Sequence, residues 1–272
     1  MTLLSHTSPS QDLSSQGGLS QGLVSQGTLL NQRLRYAQPV EGYRTGLEPV
    51  LLAACIPARP GQSVLEAGTG AGAGLLCLLA RVPGLTATGV ELDPAMAELA
   101  RTNLASNGQT AMIHADDVVH AGRFGPVDHA FANPPWHDPA GTLPAHPAAA
   151  RAKHLAATGL SAWIIGLSGC LARSGTLSLA LPVSLLGESL AILLQAGLGR
   201  TVICPLWPRP DVEAKLALLQ ARRGRGGSRL LPGLVLHEGR GFTAAAEAIL
   251  RGGAALPLHG AHRRETPAPG EG

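Results

Sequence analysis

The chain has 272 residues, 45% hydrophobic and 14% charged, which is enough apolar mass to bury one large core. A formal charge of only +3 excludes a polycation that binds nucleic acid over its whole surface, so any such affinity has to come from a local patch. Cys55, Cys77, Cys170 and Cys204 are far apart, with neither CxxC nor Cys/His spacing. This excludes a disulfide framework and a zinc site, and it reads as buried thiols in a cytoplasmic protein.

From the N-terminus, SQG recurs at 15–17, 20–22 and 25–27, a polar repeat with little to bury, so residues 1–27 are expected to form a disordered arm. MTLLSHTSPSQDL lacks a basic n-region and an apolar h-region, and no run reaches the roughly 18 to 20 apolar residues of a membrane helix. Neither secretion nor membrane insertion is expected. The tail from 257, PLHGAHRRETPAPGEG, reads as flexible, which leaves one domain over 28–256.

Strand-like runs then alternate with helix-length segments: SVLEA (63–67), a helix over about 72–81, TATGVEL (86–92), a helix over 94–107, AMIHAD (111–116), VDHAFAN (127–133), a helix over 148–172, GTLSLALP (175–182) and a helix over 184–196. Such alternation requires right-handed crossovers and a parallel sheet covered on both faces, a doubly wound α/β fold. RTVICPLWP (200–208) and AKLALLQARR (214–223) are joined by too short a loop for a crossover helix. They are expected to form an antiparallel hairpin at one edge, giving seven strands in all.

EAGTGAGAG (66–74) follows the first of these strands, and Gly68, Gly70 and Gly72 would let a ligand approach the backbone at the carboxyl end of the sheet. Glu91 ends the next strand about 20 residues on, where a carboxylate accepts hydrogen bonds from ribose hydroxyls. Glu66 at the head of the loop repels a pyrophosphate but attracts an ammonium or sulfonium group, so S-adenosylmethionine fits better than a dinucleotide. Asp116 and Asp117 end the third of these strands. One of them, with Asp116 favoured, is expected at the adenine edge; the competing reading is a helix cap.

Asn133, Pro134, Pro135 and Trp136 leave the fourth. Two prolines fix φ and remove two backbone donors, so the corner presents acceptors and asks for a donor. A planar NH₂ group satisfies it: the Asn133 side-chain oxygen and the Pro134 carbonyl accept its two hydrogens while Trp136 stacks on the attached π-system. Pulling on both hydrogens favours a pyramidal nitrogen whose lone pair faces a methyl sulfonium.

EAGTGAG, Glu91 and NPPW in this order resemble the class I, Rossmann-like S-adenosylmethionine-dependent methyltransferases that modify exocyclic amines or amides and carry (N/D)PP(Y/F/W). LRYAQPVEGYRTGLEPVLLAA (34–54) and LPGLVLHEGRGFTAAAEAILRGGAAL (231–256) resemble the bacterial tRNA-valine adenine-N6 methyltransferase family. The similarity covers roughly 28–256 and implies tRNA processing, with the adenine beside the anticodon as target. Trp136 stands where Tyr or Phe is commoner, and Glu48 where Asp is frequent.

Within GYR, Arg44 is a candidate to hold a phosphate or carboxylate and Tyr43 to wall the cofactor pocket; the plainer reading of both is capping and packing. Arg33 and Arg35 add charge before the glycine loop. ARRGRGGSR gathers Arg222, Arg223, Arg225 and Arg229 in a flexible-looking stretch that is expected to grip tRNA, against the alternative of a merely solvated loop. His137 and Asp138 read as a polar loop beside the corner. Two other functions fit the same residues less well: a protein glutamine N5-methyltransferase, since an amide NH₂ offers the same donors, and an RNA-binding module without turnover.

Overall fold

The computed structural model describes residues 24–41, 44–135 and 148–258; of 148–158 it describes the backbone alone. An antiparallel hairpin of β1 (Val24–Leu29) and β2 (Leu34–Pro39) precedes α1 (Glu48–Cys55). Then follow β3 (Ser63–Ala67), α2 (Ala73–Arg81), β4 (Thr86–Glu91), α3 (Pro94–Ser106), β5 (Met112–Ala115), a 3₁₀ segment Val118–Phe124 and β6 (Val127–Ala132). The second half contains α4 (Ala148–Gly169), interrupted at Gly159, β7 (Leu171–Pro182), α5 (Leu186–Gln195), β8 (Arg200–Trp207) and β9 (Leu216–Arg222). The short strands β10 (Ser228–Leu230), β11 (Leu234–Val235), β12 (His237–Glu238) and β13 (Gly241–Phe242) lead to α6 (Ala244–Leu250).

The main sheet runs β10-β8-β9-β7-β6-β3-β4-β5, with β11 also pairing β8, and only β9 is antiparallel to its neighbours. Apolar residues run unbroken along its central strands because both faces are covered. Val64, Phe131 and Ala180 point to the side of α1, α2, α3 and α6. Leu65, Ala130 and Leu179 point to the side of α4 and α5. This is the doubly wound α/β fold expected from the sequence. All four cysteines are buried and free, and burial pushes the Cys55 and Cys77 thiols up to about 12. No helix among the described residues is long and apolar enough to cross a membrane.

Two expectations are corrected. β8 and β9 do form the hairpin, but it is not the sheet edge: β10 and β11 pair with the outer side of β8, so the sheet has nine strands instead of seven. Ser228, Arg229 and Leu230 are all exposed, so no apolar alternation marks that strand. Second, β1 begins at Val24, so the third SQG lies in a strand instead of the expected arm, while residues 1–23 lie outside the described residues. At the other end Leu258 is buried and the Leu256 N–H donates to Ala54 O, so packing continues past 256; the rest of the tail, 259–272, is outside the described residues.

The parallel strands place their carboxyl ends in line. Ala67 pairs with Val90 on one side and Ala132 on the other, and Glu91 pairs with Ala115. In the middle of the sheet, toward the amino end of β6, His129 is buried, with Nδ1 2.7 Å from Thr176 Oγ1 and Nε2 3.1 Å from Gln62 Oε1. Burial lowers its pKa from 6.5 to about 4. The unfolded chain therefore takes up a proton below pH 6.5 that the folded chain refuses. Stability is whole above pH 6.5 and falls by about 3 kcal/mol as the pH drops to 4. His129→Gln, which keeps hydrogen-bonding groups without the titration, is expected to flatten that part of the denaturation-versus-pH curve.

Candidate functional site

The glycine loop leaves β3 at the point where the chain order of the sheet reverses, between β4 and β6. Gly68, Gly70 and Gly72 all have positive φ (66°, 56° and 89°). Gly68 is also fixed by contact: a Cβ there would lie 2.7 Å from Cη2 of Trp163, a buried side chain of α4. Trp163 thus supports the loop from below, a role that a lone Trp in a helical run does not announce.

Two carboxylates enter the loop. Glu66, buried, accepts from the Leu75 N–H at 3.1 Å, and a Cβ on Gly74 would fall inside the envelope of its Oε1. Burial, with the charge of Glu91 adding to it, holds the Glu66 carboxyl well above the usual range. Glu91 accepts from the Gly70 N–H (2.8 Å) through Oε2 and from the Asp93 N–H (2.9 Å) through Oε1. Each of its oxygens keeps a second lone pair. The N–H groups of Gly68 and Thr69 donate to Val90 O and that of Gly72 to Thr69 O. A loop whose donors are engaged internally and which holds two acids is a poor cradle for pyrophosphate.

The two aspartates after β5 divide their tasks. Asp117 caps the 3₁₀ segment, accepting from the Val119 N–H at 3.1 Å. Asp116 lies 2.7 Å from His120 Nδ1 and accepts from the Asp117 N–H; the His120 bond is the main reason its carboxyl sits below the ordinary range. The cap predicted as the competing reading of Asp116 belongs to its neighbour. Asp116 N–H donates to Glu91 O, which sets Asp116 beside Glu91 at the carboxyl end of the sheet.

The stretch before α1 is anchored from β2. Gln38, fully buried, accepts from the Thr45 N–H at 3.1 Å, and Tyr36 Oη lies 2.7 Å from Thr45 Oγ1. Between these anchors Arg44 is half-buried, and none of the described residues accepts from its Nε or Nη2. The Glu48 carboxylate folds back to where a Gly46 side chain would project. Tyr43 lies outside the described residues.

Asn103 on α3 and Asn107, the C-cap residue one turn on, act as an artificial strand. Asn103 accepts from Ala37 N–H (2.8 Å) and donates to Ala37 O and Ala71 O (both 2.8 Å). Asn107 accepts from Arg35 N–H (2.9 Å) and donates to Arg35 O (2.8 Å). The buried Asn103 thereby ties the hairpin to the glycine loop. Asn103→Ala leaves three backbone groups without it and is expected to cost about 2–3 kcal/mol. Amide exchange at residues 35–37, measured against the rest of the sheet, is expected to accelerate.

Beside the loop, Ala132 is the register partner of Ala67, so Asn133 emerges from β6 next to Gly68 emerging from β3. Asn133 is half-buried, Pro134 buried and Pro135 exposed. Trp136, His137 and Asp138 lie outside the described residues. The corner, the glycine loop, Glu66 and Glu91 are therefore brought to one edge. The arginines 222–229 are not: Arg222 pairs with Thr176, while the carboxyl end of β7, Pro182, pairs with Leu216.

Over 184 residues the chain is 30% identical to the tRNA1(Val) (adenine(37)-N6)-methyltransferase of Shewanella sp. strain MR-4, covering 65% of this chain and 75% of that one. The methyltransferase small domain family matches residues 49–165, from α1 through the loop, both acids and the proline corner into α4. The chain belongs to this family of class I methyltransferases. Its methyl donor is S-adenosylmethionine. The methyltransferase is also 38% identical over 89 residues to the ribosomal RNA small subunit methyltransferase C of Aeromonas hydrophila, 32% of this chain and 25% of that one. Among solved structures, a predicted O-methyltransferase from Agrobacterium tumefaciens aligns with a TM-score of 0.63 at 24% identity, covering 78% of this chain and 99% of that one, a likeness of fold.

Proposed function

We propose that this methyltransferase transfers the methyl group of S-adenosylmethionine to the exocyclic N6 of an adenine in tRNA, as a cytoplasmic tRNA-processing enzyme. The observation that carries the reading is the register Ala67 with Ala132, which sets the Asn133 corner beside the glycine loop. The relative named for adenine 37 of tRNA1(Val) supports the choice of acceptor.

The residues present fit the donor. Arg44, with two buried donors that no described residue satisfies, suits the methionine carboxylate, and Glu66 suits its ammonium. Glu91 has lone pairs left for ribose hydroxyls, Asp116 stands next to it for the adenine edge, and Asp117 holds the turn that aims Asp116. Gly68, Gly70 and Gly72 give the backbone its close approach, and Tyr43 is assigned to the wall. The donor supplies an electrophilic methyl carbon on a cationic sulfur.

Asn133 Oδ1 and the Pro134 carbonyl accept the two N6 hydrogens, Pro135 stiffens the corner and Trp136 stacks on the base. The N6 lone pair forms the new N–C bond as the S–C bond breaks, S-adenosylhomocysteine leaves, and the surplus N6 proton passes from the acceptors to water. Alignment does the work, and no strong base is needed before attack.

Nucleoside mass spectrometry of tRNA from a strain lacking the protein tests this: N6-methyladenosine is expected to disappear and to return when purified protein and S-adenosylmethionine are added. An intact tRNA profile refutes it. In that case a lost ribosomal RNA modification or an undermethylated protein glutamine identifies the true acceptor.

A further inference from the structure

We propose that the arginine-rich corner at the amino end of the parallel strands is a docking surface for RNA backbone, remote from the methyl-transfer corner. The inference rests on the RNA reading given above. Arg173 in β7, Arg200 in β8, Arg222 in β9, Arg223 and Arg225 in the following loop and Arg229 in β10 converge there. The stretches 170–187, 189–210 and 214–237 contain no Asp or Glu. Among the described residues none of the six arginines forms an ion pair.

The fold tolerates a cost here. Arg200 and Arg222 are direct cross-strand partners, and like charges in that position repel. Arg222 Nε is buried, and no described residue accepts from it. The loop is built and not merely loose, contrary to its glycine-rich look. Gly199 N–H donates to Gly224 O and Gly224 N–H to Gly197 O, both at 3.0 Å. Arg200 Nε donates to Arg225 O, and a Cβ on Gly226 would lie 2.7 Å from Arg200 Cγ. Arg173, Arg225 and Arg229 are exposed, and no side-chain bond to another described residue holds them back, on a sheet edge whose outermost strand is wholly exposed. Concentrated, unneutralised guanidinium groups on an ordered edge suit phosphates in series.

Distance selects the partner. Along β7, Thr176 stands at the level of Arg222 and Leu179 at the level of Ala132, only three residues apart, but β10 lies four strands to the side of β6, which sets Arg229 about 19 Å from the corner. A free nucleotide or a single glutamine side chain in the catalytic corner cannot reach that far, whereas a folded RNA can. The same edge continues through β11 to Trp207 at the carboxyl end of β8, which gives the RNA a path between the two places.

The test is the triple variant Arg173→Gln/Arg225→Gln/Arg229→Gln of the full chain, with bulk tRNA as probe and binding followed by fluorescence anisotropy across a salt series. Losing three phosphate contacts is expected to reduce the slope of log K against log salt by about 2 to 3 and to weaken binding roughly tenfold or more at physiological salt. S-adenosylmethionine affinity by calorimetry and the thermal midpoint are expected to stay as in the wild type. Wild-type affinity and slope in the variant, or a wild type that binds no tRNA, overturn the proposal. Corner-dependent binding of a tRNA that is never methylated upholds the docking surface and defeats the adenine reading instead.

Discussion

Asn133→Ala is expected to lower kcat by roughly 10²- to 10³-fold while the Kd for S-adenosylmethionine measured by calorimetry stays within about twofold, the scale seen when one preorganised polar partner of a reacting group is removed. The argument is positional. Asn133 follows the strand residue that pairs with Ala67, so its Cα is fixed by sheet register and not by a loop. Pro134 and Pro135 hold the next two residues at one φ each, which leaves the side chain as the adjustable acceptor. Truncation removes one of two acceptors for the amino group but leaves the glycine loop, Glu66 and Glu91 untouched. Asn133→Asp keeps an acceptor oxygen and is expected to retain more turnover than Ala. An Ala variant with near wild-type kcat removes Asn133 from the chemistry.

What could be read in the sequence follows from what each residue interacts with. The glycine loop, Glu66, Glu91 and the proline corner were legible because each is a short motif at the end of an apolar run, and the parallel, doubly wound sheet follows from the alternation of strands and helices. The β1–β2 hairpin was not. VSQGTL has no alternation to betray it, and its support comes from Asn103 and Asn107, at sequence separations of 66 and 72. A local pattern cannot reveal a bond whose partner is on another element. The only hint is Asn103 inside a helix, where such a side chain is not favoured unless it has backbone to bond, followed four residues on by Asn107 at the C-cap. The arginine cluster shows the opposite failure. Its composition was plain, but the end of the sheet it occupies depends on β9 being antiparallel to β7.

Gly74→Ala is expected to destabilise the protein by about 3 kcal/mol or more, read from urea denaturation, because overpacking of a rigid core usually costs 1–3 kcal/mol and here the neighbour cannot yield. The new methyl group would land on Glu66 Oε1, and Glu66 is held by the Leu75 N–H and walled off from water. Rotating the carboxylate away would leave a buried N–H without its acceptor and push an acid into apolar packing. Since burial already holds that carboxyl well above its usual range, the protein gives up stability to keep it. A structural reason for retaining it is therefore weak, and the methionine ammonium is the stronger one. The double variant Glu66→Ala/Gly74→Ala separates the two. Removing the carboxylate relieves the clash, so stability is expected to recover most of what the single Gly74→Ala loses, whereas S-adenosylmethionine affinity is expected to fall and stay low. Recovery of both would make Glu66 a packing residue, and the cation-binding role would then have to pass to Glu91.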